Sequence, residues 1–333
     1  NGLNANFAIG KPGTVVVLGG SGLERGKFPG SRFTAGLWIN KERNAGIEVS
    51  YFFLRERAFD FQLGSSGLPG SLGIGIPYID AIFGGEAAEP IAAPGFSRRG
   101  NVAVTSPSTM LGAEANLIYR PRKVHYGRLS LLAGLRYLDL MEQLTLMDTI
   151  TVPFDNNGTL QKGQLFRTDQ FSTRNQFYGA QAGARFDFAY HRLSLKVNGS
   201  MALGANRQSV RISGLTSDDA DHLTFTGGLL AQVTNIGKYR RHELTVVPDV
   251  RANLGYNFNA HFRAFVGYDF LYLNKIVRPD EQIDRVVNFT RAPQPTFHGS
   301  SSPLNFGPLR PVFSFIESDF WAQGLSLGIQ ARF

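Results

Sequence analysis

The stretch Trp321-Ala322-Gln323-Gly324-Leu325-Ser326-Leu327-Gly328-Ile329-Gln330-Ala331-Arg332-Phe333 decides the fold. Its odd positions Trp321, Leu325, Leu327, Ile329, Ala331 and Phe333 are large or apolar, with Gln323 the exception. Its even positions are small or polar. Side chains alternate faces along a strand, so the stretch reads as a strand with one oily and one wet face. A closing strand that must present a continuous apolar face to lipid has this pattern. Trp321, Leu325, Leu327, Ile329 and Phe333 are therefore the expected C-terminal insertion signal.

Working outward, the same alternation recurs. Phe33, Ala35, Leu37 and Ile39 share a face, and Ile47, Val49, Tyr51 and Phe53 return after the polar turn 41–44. Leu111–Tyr119 and Leu129–Tyr137 make a second pair around a basic turn, 120–127. Tyr178–Phe188 and Leu193–Leu203 make a third, and Leu244–Phe258 with Ala264–Tyr272 a fourth. Pro248 is awkward inside that run, tolerable only at a bulge or a strand end. Residues 60–107, 148–168, 214–242 and 278–319 read as four long loops. Short turns thus gather at one end and long connections at the other.

The reading is an all-β transmembrane antiparallel up-and-down β-barrel, with long extracellular loops and short periplasmic turns. Residues 1–333 form one outer-membrane β-barrel domain. Nine strands are explicit. A closed barrel needs an even count, so about ten are expected, the first ascending strand lying within residues 1–30 or upstream. Residues 223–242 would raise the count to twelve if they formed a hairpin; Leu229-Leu230-Ala231 could equally fold inward.

Composition agrees. The chain has 333 residues, 27 Phe, 11 Tyr and 38 Gly, which suits aromatic girdles, tight turns and crowded interiors. No run approaches the ~18 apolar residues of a membrane helix. There is no Cys, which excludes disulfides and thiolate chemistry. Asn1 reads as the internal start of an exported chain. The net charge of +8 suggests attraction to anionic headgroups or anionic solutes.

Several segments resemble a known family. They include Leu111-Gly112-Ala113-Glu114-Ala115-Asn116-Leu117, Leu132 to Leu138, Phe171 to Gly179, Thr234 to Arg240, Val266 to Tyr272, Val277 to Asp280, Ile283-Asp284 and Phe320 to Gly324. Together they resemble the planctomycete outer-membrane family called putative beta-barrel porin number seven, from about Gly20 to Phe333. The resemblance implies a bacterial outer-membrane address and a porin for small solutes. Members usually open with an aromatic-rich strand that is not found here.

No enzyme is expected. The Gly/Ser runs 19–22 and 64–67 lack the spacing of a hydrolase elbow. The histidines do not pair at metal-ligand spacing. Asp218, Asp219 and Asp221 could ligate calcium, although a solvated acidic turn explains them better. Three Asn-x-Ser/Thr triplets have the glycosylation pattern, without consequence in a bacterial envelope. The reading therefore has no catalytic, cofactor or metal residue. The basic clusters 98–99, 120–123 and 238–241 lie in turns and loops, where lipid phosphate is a better partner than nucleic acid. Expected partners are outer-membrane lipid including anionic headgroups, the barrel-assembly machinery and a homo-oligomer.

Turning the apolar faces outward leaves Glu48, Glu114, Arg136, Arg185, Asp187, Lys196, Asp249, Arg251, Arg263 and Asp269 facing the lumen. Five acids against five bases favours pairing over a charged ring. The expectation is a hydrogen-bonded ladder across a narrow lumen with at most a thin aqueous path. The alternative function is a closed structural barrel acting as a surface anchor or assembly unit.

Overall fold

The computed structural model describes residues 7–19, 26–121, 127–156, 159–219, 222–293 and 305–332, without side chains for 152–162. Thirteen strands are assigned among them: β1 Gly30–Trp38, β2 Ala45–Ser65, β3 Ile74–Asp80, β4 Glu86–Ala92, β5 Arg99–Tyr119, β6 Arg128–Asn156 and β7 Thr159–Tyr190. Then come β8 Leu193–Asp218, β9 Thr224–Thr226, β10 Gly237–Asn257, β11 Phe262–Ile276, β12 Val286–Val287 and β13 Ser318–Ala331. One 3₁₀ turn, Phe289–Arg291, follows β12.

The main sheet runs β1-β2-β5-β6-β7-β8-β10-β11-β13, with the short β9 hung on β8. Every pairing in it is antiparallel. Alternation dictates its two faces. Phe33, Leu37, Tyr51, Leu117, Leu135, Leu203, Leu254 and Leu327 all stand exposed on the convex side. Their chain neighbours are small, polar or charged and turn inward. Tyr137 and Tyr178 pair on the convex side with ring centroids 4.9 Å apart, as in an interfacial aromatic girdle. The sheet curls far enough for β2 and β7, three places apart in strand order, to touch through Glu48 and Arg185. Among the described residues β1 pairs only with β2, and β13 only with β11.

Three expectations meet the structure. First, the short β9 brings the sheet to ten strands; of the stretch expected to hold a first ascending strand, residues 7–19 and 26–29 hold none, and 1–6 and 20–25 lie outside the described residues. Second, residues 223–242 form no hairpin; Leu229, Leu230 and Ala231 are buried in a turn folded inward. Third, much of the expected loop sequence is strand. The run 148–168 belongs almost wholly to β6 and β7, which continue to pair up to Asn156 and Thr159. The run 60–107 contains the ends of β2 and β5 and the whole β3–β4 hairpin. Gly, Pro and Ser mislead here because a ladder tens of residues long satisfies the backbone whatever its composition. Pro107, for example, pairs with Ala58 beside a bulge at Leu54–Arg57.

Pro248 is reconciled by the ladder. It faces Met201 of β8, while β11 begins to pair with β10 only at Asp249. The N–H of Val246, on the same edge two residues earlier, donates to Asn274 Oδ1 at 2.8 Å instead of to a strand. The missing N–H of Pro248 therefore falls on a locally free edge.

A second sheet, β12-β3-β4, forms a cap at the long-connection end. Ile74, Ile76 and Tyr78 of β3 and Ile91 of β4 share one core with Val104, Ile150, Phe171 and Ile212 of the long strands. Each such side chain fully buried stabilises by about 1.5–3 kcal/mol.

Candidate functional site: the packed lumen

Glu114 of β5 sits at the centre of the concave face. Arg136 Nη2 reaches its Oε2 at 2.9 Å, Arg251 Nη2 its Oε1 at 2.8 Å, and Arg32 Nη1 its Oε1 at 3.7 Å. Asp249 accepts from Arg251 Nε at 2.8 Å and lies 3.7 Å from Arg136. Gln181 donates to Glu114 at 3.2 Å and to Asn116 Oδ1 at 2.6 Å. These charges come from β1, β5, β6 and β10. Glu114, Arg136 and Asp249 are 7%, 5% and 3% exposed.

Below this knot, toward the short turns, Arg185 grips Glu48 with two hydrogen bonds of 2.8 and 2.5 Å. Lys196 and Asp187 are a looser pair at 3.9 Å. Arg263 has no carboxylate partner among the described residues; it donates to Ser194 Oγ at 2.7 Å and to nearby carbonyls. Asp269 makes no ion pair among the described residues, although it faces Arg251 in register. The structure thus brings Glu48, Glu114, Arg136, Arg185, Asp187, Lys196, Asp249 and Arg251 within ion-pair distance of an opposite charge, and leaves Arg263 and Asp269 outside.

Two features of the concave face were not read from the sequence. Arg32 occupies the even-position row with Thr34 and Gly36, and its parity alone would have found it. An apolar layer lies directly above the knot: Met110, Leu138, Leu140, Phe177, Ala202, Val247, Leu271, Leu273 and Ile276 are all buried. On β5, β6, β7, β8, β10 and β11 each of these lies nearer the long connections than the charged row. Leu138 and Met110 stand where the inward face switches from polar to oily, which an alternation count does not detect.

Above the apolar layer the chain after β11 is pulled across the opening. Asn175 Nδ2 donates to Val277 O at 2.8 Å, and Val277 N donates to Asn175 Oδ1 at 2.9 Å. Gln208 donates to Lys275 O at 2.7 Å, and Arg278 grips Glu142 at 2.9 Å. Under the β3–β4 hairpin lies a second charge cluster. Arg167 donates to both carboxylate oxygens of Asp148 at 3.0 and 3.1 Å and nears Glu89, which Arg98 also holds at 2.7 Å. Asp169 accepts three backbone N–H groups from Leu229, Leu230 and Ala231. Burial pushes the Asp148 carboxyl up to about 6; Arg167 opposes this, and Asp169 and Glu89 add to it. Burial raises Asp169 as well, against the pull of its three N–H donors.

Of the insertion-signal residues, Trp321, Leu325, Leu327 and Ile329 are exposed on one face of β13, and Phe333 lies outside the described residues. Of the calcium candidates, Asp219 accepts from Gln164 N at 2.6 Å, and Asp221 lies outside the described residues. Among the described residues no three metal-ligating side chains converge.

A long antiparallel meander curled with an oily convex face and a charged concave one fits a membrane β-barrel. The chain belongs to the family described as Putative beta barrel porin-7 (BBP7), whose model matches residues 3–333. No curated protein matches the chain, and no solved structure does.

Proposed function

We propose that the chain is an outer-membrane porin of very small conductance, held shut by its own side chains in the resting state. One observation carries this reading. Glu114, Arg136, Asp249 and the apolar layer are buried even though, among the described residues, β1 and β13 do not pair with each other. A water-filled pore needs about sixteen strands, whereas eight are filled by side chains, and a ten-strand sheet is nearer the second case.

Any ion that passes does so past a cationic mouth. Arg120, Arg128, Arg263 and Arg332 at the short-turn end have no carboxylate within ion-pair range among the described residues. Arg120 feels Arg128, Arg185 and Arg332 but the single acid Asp187. The residual current is therefore carried by anions. Planar-bilayer recording in a potassium chloride gradient tests both statements. Rare, small, chloride-selective openings are the expected record. Large steady steps, or cation selectivity, would overturn it. The second reading, a closed anchor or assembly unit, rests on the same packed layers and is what complete silence in that recording would favour.

A further inference from the structure

The convex side of β7, β8 and β10 changes character just above the girdle. Along β8 the exposed positions run Met201, Leu203, Ala205, then Arg207 and Arg211, with Ser209 between. Along β10 they run, in the same direction, from Leu244 to His242, Arg240 and Lys238. Their neighbours Ala202, Asn206, Gln208, Val210, Thr245 and Val247 are buried, so the exposed residues share one face. The register sets Arg211 opposite Lys238, Ser209 opposite Arg240 and Arg207 opposite His242. Same-face residues repeat every ~7 Å along a strand and ~5 Å across strands, so the four cations cover roughly 13 by 5 Å.

This patch has no partner inside the protein. Arg207, Arg211, Lys238 and Arg240 make no ion pair or side-chain hydrogen bond among the described residues. The nearest acid on that face, Asp139, is already held by Arg174 at 2.6 Å. Immediately below lie Tyr178, Leu203 and Leu244, 53%, 52% and 64% exposed. Oily contact surface thus passes without a gap into a cluster of free cations, at the depth where a bilayer changes from acyl chain to headgroup.

We propose that this face is a binding site for phosphate headgroups of net negative charge in the surrounding leaflet, the acyl chains lying on Tyr178, Leu203 and Leu244 and the phosphate among Arg207, Arg211, Lys238 and Arg240. Arg forks suit phosphate oxygens, and each cation near a charged leaflet adds about 1 kcal/mol of attraction. The site rests on the membrane-spanning reading, not on whether the lumen conducts.

Native mass spectrometry tests it. The folded full chain is released from micelles containing equal phosphatidic acid and phosphatidylcholine. Phosphatidic acid should remain bound in preference, and R207S/R211S/K238S/R240S should cut that preference about ten-fold or more. A control, K11S/K41S/R43S/R99S, removes four exposed cations elsewhere. Heat-modifiable mobility on a gel verifies that each variant is a folded barrel. Equal retention of both lipids, an equal loss in the control, or displacement of phosphatidic acid by millimolar inorganic phosphate would each overturn the proposal. The last would mark a free-anion site instead. Failure to fold as a barrel at all would count against the membrane reading, and is read separately on the gel.

Discussion

Glu114 concentrates the electrostatics of the lumen in one carboxylate. It is buried, and Arg136 and Arg251 share it. Removing one partner of a buried pair leaves the other charged and dry, which costs ~3–5 kcal/mol. Glu114→Gln should therefore lower the unfolding free energy of the folded barrel, read from urea titration, by that much. Asp187→Asn, at the partly exposed pair with Lys196, should cost at most about 1 kcal/mol. Equal effects would show that burial does not govern these charges. Asp148 makes a second test. Its folded pKa, about 6, lies above that of an unfolded aspartate, so the folded state gains protons and stability as pH falls through about 6. Amide protection in β3 and β4, corrected for intrinsic exchange, should be higher at about pH 5 than at about pH 8. Asp148→Asn should flatten the difference. Greater protection on the alkaline side would refute the assignment.

At the scale of elements, most of the membrane-spanning half was legible and most of the half above it was not. Inside the bilayer each strand must be oily on one face and polar on the other, so period two announces itself in Phe33–Ile39 or Leu325–Ile329. Above the girdle both faces of β6 and β7 meet polar or buried surroundings, and the period loses its sign. The sequence 60–107 hides β3 and β4 for a related reason: Pro77 and Pro90 sit in a short edge-rich sheet that tolerates them. The charges of the concave face were legible by parity, and the apolar layer was not, because oily residues on an inward face look like a break in the pattern. The connections still sort by end. The chain has no Cys, so single cysteines report topology cleanly. A membrane-impermeant maleimide on intact cells should label Gly95→Cys in the β4–β5 connection, and should spare Asn44→Cys and His191→Cys in the short turns. The reverse pattern would invert the topology. β13 carries a separate expectation. Its outward residues are among the most exposed apolar side chains of the molecule, with Leu325 85% and Leu327 84% exposed. Deleting Phe333 should impair assembly into the membrane, measured as loss of the heat-modifiable form. Normal assembly would remove the C-terminal strand as the insertion signal.

For the whole molecule, three layers close one lumen from different chemistry. Ion pairs hold the middle, apolar side chains lie above them, and a small sheet with its own core covers the top. Each layer draws on distant parts of the chain: Arg32 and Arg251 meet at Glu114, and Asn175 holds Val277. Such long-range closure slows folding but makes the closed state cooperative. Opening a path thus requires the layers to move together, and charge substitutions in the knot alone should alter stability more than conductance.

The β6–β7 hairpin carries one last consequence. From Tyr137 in the girdle, β6 runs nineteen residues further to Asn156, paired with β7 throughout. At ~3.3 Å per residue and a tilt near 40°, the ribbon rises roughly 45 Å above that aromatic pair. For most of that height it is flanked by β5 and β8, and it stands alone only beyond Thr151 and Leu165. With the orientation that the maleimide labelling tests, its tip stands clear of short surface sugars and is the part of this protein that a phage, an antibody or a neighbouring cell would meet first, whatever passes or fails to pass through the lumen beneath it.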